Sequence, residues 1–81
     1  MSESAAENVR LGNLLPGQSG VVVRVMGEGP IRRRLFDMGI TPGAAIILRK
    51  VAPLGDPIEI TVRGYELSLR KAEAEAVEIK L

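Results

Sequence analysis

The stretch "IEITVRGYELSL", residues 58–69, alternates apolar and polar side chains with a single interruption. Ile58, Ile60 and Val62 oppose Glu59, Thr61 and Arg63, and Tyr65, Leu67 and Leu69 oppose Glu66, Ser68 and Arg70. A period of two marks a strand with one buried face. Arg63-Gly64 stands where a two-residue connection would fall, so the pattern predicts a β-hairpin.

Working outward, "GDP" (55–57) is a turn, and "TPGAAIILRKVAP" (41–53) reads as a Thr-Pro-Gly turn entering another strand. Further upstream, "LLPGQSG" (14–20) carries turn chemistry into "VVVRVMG" (21–27), an apolar, β-branched run of strand length. Strict alternation there places Val21, Val23 and Val25 on one face and a mixed set, Val22, Arg24 and Met26, on the other. Between these two strands, Pro30 suits the first position of a helix and Gly39 the position just past its end. Ile31, Leu35 and Met38 form one apolar stripe on that helix.

Downstream, "LRKAEAEA" (69–76) favours a helical turn or two before Val77, Ile79 and Leu81 alternate as a last strand. The expected fold is mainly β: about five antiparallel strands in a small barrel of SH3 size, with one helix after the first long strand and a short helical turn before the last. Closing such a sheet removes the exposed edges that so few strands would otherwise present. Residues 1–7 are small, polar and patternless and are expected to form a disordered arm, leaving 8–81 as a single domain.

An 81-residue chain has a thin core. It contains neither cysteine nor histidine, which removes disulfides, thiolate or imidazole metal ligands and Ser-His or Cys-His nucleophilic arrangements. No GxxxxGK[ST] phosphate loop is present, so nucleotide hydrolysis is not expected of this chain. There is no apolar run of membrane-spanning length, and the first ten residues lack the features of a signal peptide; a cytoplasmic location without membrane insertion is the expectation. The net charge is +1, yet residues 24–50 hold six cations against two acids while 56–81 hold four against six.

Much of the positive charge sits in "RRRLFDMGITPG", residues 32–43. Three consecutive helical residues fan over about 200°, so Arg32, Arg33 and Arg34 cannot share one nucleic-acid groove, and the chain has few aromatics for base stacking. The arginines read either as a protein-binding surface or as a solvated helix face. Phe36 lies off the apolar stripe, between Arg32 and Arg33: either neighbouring chain folds over it, or it is an exposed anchor of the kind that dominates binding energy. Arg33 and Asp37 are spaced for a helical ion pair. Arg32, Arg33 and Phe36 are the candidate partner-binding residues; no catalytic, cofactor or metal site is expected. The carboxylates Glu28, Asp37, Asp56 and Glu59 fall on separate segments without chelate spacing.

From Leu11 to Ile79 the chain resembles the FeoA family. The likeness rests on Arg33 to Gly39 ("RRLFDMG"), Pro42-Gly43, Pro53 to Pro57 ("PLGDP") and Leu69 to Ala74 ("LRKAEA"), individually weak but specific in this order. The resemblance implies an SH3-like barrel, linked to Fe²⁺ transport, that binds or regulates the cytoplasmic GTPase portion of the FeoB ferrous iron transporter, as a bacterial accessory protein that is a monomer or weak homo-oligomer. Two rival functions are a nucleic-acid-binding SH3-like barrel and a small transition-metal carrier.

Overall fold

The hairpin at residues 58–69 exists as read. In a computed structural model, which describes residues 8–81, Ile58–Val62 and Tyr65–Leu69 pair antiparallel with Val62 opposite Tyr65. Arg63 (φ 50°) and Gly64 (φ 86°) both adopt positive φ, the requirement of the tight turn whose twist matches the flanking strands. Ile58, Ile60 and Val62 are buried, as their alternation demands.

The elements in chain order are β1 (Asn8–Arg10), a 3-10 turn (Leu11–Asn13), β2 (Ser19–Val25), α1 (Gly29–Asp37), β3 (Ala45–Val51), β4 (Ile58–Val62), β5 (Tyr65–Leu69), α2 (Lys71–Ala74) and β6 (Val77–Lys80). They form one six-stranded antiparallel sheet in the order β1-β6-β2-β3-β4-β5. The inner faces of β2 to β6, together with Leu11, Leu14, Leu35 and Ile40, make one core cluster. A sheet whose inner face feeds a single core must curl on itself.

Six strands stand where about five were expected. The additional one, β1, has three residues and a single apolar side chain, Val9, so it lacks a period to detect; its partner β6 defines it. The expected arm at 1–7 lies outside the described residues.

In β2 the strict alternation is broken. Val22 and Val25 are buried, whereas Val21 and Val23 are exposed. Val22 faces Ile79 and Arg24 faces Glu78 on β6, which leaves Val23 as an extra residue. This β-bulge flips the parity of the strand, so Val25 points inward together with Val22 rather than with Val21 and Val23.

Strand β6 lies between β1 and β2, which places Glu78 opposite both Arg10 and Arg24. The Arg24 Nε donates to Glu78 Oε1 at 2.9 Å and the Asn8 amide to Oε2 at 3.0 Å. The Arg24 hydrogen bond, then that of Asn8, holds the Glu78 carboxyl below the usual carboxylate range against a smaller desolvation effect. A depressed folded-state pKa contributes stability at neutral pH that is lost as pH falls through the carboxylate range. Replacing Arg24 by Gln is therefore expected to shrink the drop in melting temperature between about pH 6 and about pH 3. Parallel melts of the two proteins across that range check this, and equal acid sensitivity would remove Glu78 as a contributor.

Candidate partner-binding surface

Helix α1 begins with Pro30 in its first turn and ends in a closed C-terminal motif. The Gly39 N–H donates to the Phe36 carbonyl at 2.9 Å and the Ile40 N–H to the Leu35 carbonyl at 3.0 Å, with Gly39 at φ 90° and Ile40 fully buried. Gly39 thus ends the helix where the sequence places it.

Of the expected apolar stripe, Leu35 is fully buried, Met38 packs against the core half-buried, and Ile31 is 40% exposed. Ile31 lies near the Gly27 backbone at the exit of β2 rather than over the core, since a Cβ built at Gly27 would stand 3.6 Å from its Cγ2. The C-terminal half of α1, not its whole length, is held to the barrel.

The β4–β5 hairpin reinforces that hold. The Arg63 Nε donates to the Gly39 carbonyl at 3.0 Å, an Arg63 Nη to Thr41 Oγ1 at 2.7 Å, and the Tyr65 hydroxyl to the Met38 carbonyl at 2.5 Å. The left-handed backbone at Arg63 accompanies a side chain that satisfies the Gly39 carbonyl just past the helix end. Their distance in sequence hides this latch: Arg63 and Tyr65 read only as hairpin residues, and nothing local links them to residues 38–41.

The three arginines divide their roles. Arg34 forms an ion pair with Glu73 of α2 at 3.0 Å. Glu73 is itself buried and accepts from the Arg70 N–H at 3.0 Å. Arg32 donates through Nε to the Val25 carbonyl at 3.3 Å and stacks its guanidinium 4.8 Å from the centroid of the Phe36 ring. Among the described residues the ion pairs are Arg24–Glu78 and Arg34–Glu73, so the expected Arg33–Asp37 pair does not form. Phe36 is half-buried against the core, and its remaining surface lines a depression.

That open depression, about 470 Å³, is bordered by Gly29, Arg32, Arg33, Phe36 and Asp37. A second, about 310 Å³, is bordered by Gly29, Pro30, Arg33, Arg34 and Asp37. Gly29, Arg33 and Asp37 border both. The structure thus brings all three candidate residues, Arg32, Arg33 and Phe36, to one surface, and adds Gly29, which carried no signal of its own in the sequence, and Asp37, which was read only as an ion-pair partner of Arg33 and as an isolated carboxylate.

The chain lacks the imidazole and thiolate ligands common in iron and zinc centres, and among the described residues no three of His, Cys, Asp and Glu gather where they could hold a metal. Nor is any helix of the described residues long and apolar enough to cross a membrane.

A family model for the FeoA domain matches residues 9–81. A fusion of Fe(2+) transport protein A with the Fe(2+) transporter FeoB from Porphyromonas gingivalis is 38% identical over 73 residues. That alignment covers 90% of this chain but only 9% of the fusion protein. The solution structure of a FeoA-like protein from Clostridium acetobutylicum superposes with a TM-score of 0.86 at 36% identity, covering 93% of this chain and 87% of that one. FeoA of Stenotrophomonas maltophilia, crystallised with zinc and described as an SH3 domain protein and a candidate ferrous iron transport activating factor, superposes with a TM-score of 0.79 at 28% identity over 89% of both chains. The fold is an SH3-like β-barrel, and the chain belongs to the FeoA family.

Proposed function

We propose that this protein is an accessory module of ferrous iron uptake that works by binding a FeoB-type transporter at its cytoplasmic GTPase portion, through the outer face of α1, without chemistry or a resident metal of its own. The observation that carries this reading is the fusion relative, in which a sequence of this family and FeoB share one polypeptide. Covalent linkage raises the effective concentration of two parts that work together. Iron, on this reading, is the transporter's cargo.

A nucleic-acid role fits less well. Arg34 is engaged with Glu73 and the Arg32 Nε with Val25, which leaves on this face only the Nη groups of Arg32 and Arg33, the latter without an ion pair among the described residues. Binding that neutralises several phosphates needs several such cations and is steeply salt-dependent.

The test is capture of the full-length transporter from detergent extract, followed by association kinetics. Arg33→Glu is the clean probe, since Arg33 is exposed and makes no ion pair among the described residues. Charge on an exposed side chain chiefly steers encounter, and such substitutions shift stability by about 0.5 kcal/mol or less. The expected outcome is slower association, by about threefold or more at low salt, with an unchanged melting temperature. Normal kinetics would move the partner site off α1, and failure of the wild-type chain to be captured would remove the reading itself.

A further inference from the structure

Arg32 is the most constrained of the exposed side chains on α1. Its Nε is engaged by the Val25 carbonyl at the end of β2, and its Cζ stands over the ring of Phe36, 4.8 Å from the centroid. Both restraints act on one rigid, planar group. With Nε engaged, the Nη groups are the donors left to the depression that Arg32 borders together with Arg33, Phe36 and Asp37. A guanidinium held in this way has lost the rotamer freedom that normally opposes binding, and its fork matches the two oxygens of a carboxylate. Arg33 adds a second positive charge on the same rim. The part of Phe36 not packed on the core supplies an apolar wall beside the fork.

We propose that this face of α1 receives an acidic segment of the partner protein, in which one carboxylate side chain is held by the Arg32 fork and a neighbouring apolar side chain rests against Phe36. The inference rests on the reading of α1 as the partner surface and specifies the chemistry that surface recognises. Asp37, toward the other end of the same depression, sets the direction: the acid of the segment lies toward the helix start, where Arg32 and Arg33 stand, and away from the like charge of Asp37. A strongly basic segment would meet the two arginines and is rejected.

The test uses the full chain, labelled for backbone amide NMR, and an end-blocked peptide alternating glutamate and leucine, with the glutamine–leucine peptide as control. The glutamate peptide is expected to move the amides of residues 29–37 and the glutamine peptide to leave them in place. Arg32→Lys keeps the charge but loses the fork and the stacking, and it should weaken glutamate-peptide binding about tenfold while Arg33→Lys changes it little. A thermal melt of Arg32→Lys accompanies the titration, and a midpoint near that of the wild type assigns the loss to recognition.

Equal response to both peptides, or wild-type affinity in Arg32→Lys, overturns the proposal. So does movement of the same amides on simple dilution, which would make a second copy the occupant, or a stronger response to a single-stranded oligonucleotide, which would make it nucleic acid. The outcome separates from that of the functional reading: capture of the transporter that ignores Arg32→Lys sinks the fork alone, and peptide binding without capture sinks the functional reading alone.

Discussion

Leu35→Ala is expected to destabilise the fold by about 3 kcal/mol and to abolish partner binding at temperatures where the barrel still survives. Leu35 is the one buried residue of α1 and is wholly inaccessible. Ile31 is exposed, and Met38 and Phe36 are only half-buried, so no other side chain of the helix can replace its contribution. The cost combines the lost transfer free energy of the side chain with the cavity left beside the core. In a domain of this size such a loss is a large share of the total stability. What remains holding α1 is the partial packing of Phe36 and Met38, the Arg63 and Tyr65 latch at its C-terminal end, the Arg32–Val25 hydrogen bond and the Arg34–Glu73 pair, whose arginine is 61% exposed and therefore worth little alone. The helix should loosen first. Denaturant melts followed by far-ultraviolet circular dichroism, with amide exchange at residues 29–38, measure both effects. An unchanged midpoint, or exchange that rises evenly across the sheet, would show that α1 is not hung on this side chain.

That dependence of the helix on one leucine was only partly legible in the sequence. Helix, turn and hairpin were readable because each has a local signature: Pro30 at the start, Gly39 at the end, and strict alternation on either side of Arg63-Gly64. Strand β2 misled for an equally physical reason, because a bulge is set by pairing with β6, and the run Val21 to Val25 carries valines on both parities. β1 was invisible because three residues cannot show a period. At the candidate surface, Arg32, Arg33 and Phe36 could be singled out from composition and helical angle, and they do share one depression. Their division of roles could not be read, since Glu73, Val25 and the hairpin that tether the helix and its side chains come from elsewhere in the chain.

The second large effect is expected at the far end of the same strand that anchors Arg32. Gly20 lies in β2 beside β6, where a Cβ would stand 2.8 Å from the Lys80 carbonyl oxygen and would collide with Cγ2 of Ile79. A side chain can rotate away, but the backbone oxygen of a central strand cannot. Gly20→Val must therefore push β2 away from β6 and break the pairing of Val21 with Lys80 and Val22 with Ile79. Ile79 and Val22 both belong to the core, so the displacement opens the interior as well as the ladder. Overpacking usually costs about 1–3 kcal/mol, and contact with immovable backbone places this substitution at or beyond the upper end. Gly20→Ala tests the steric reading in isolation, since its single methyl group introduces the backbone contact without the branching of valine. Both variants are expected to melt well below the wild type, valine lowest, with amide protection lost first at residues 20–22 and 79–81. A wild-type midpoint in the alanine variant would mean that β2 and β6 can separate at Gly20 at no cost, and would overturn the steric reading.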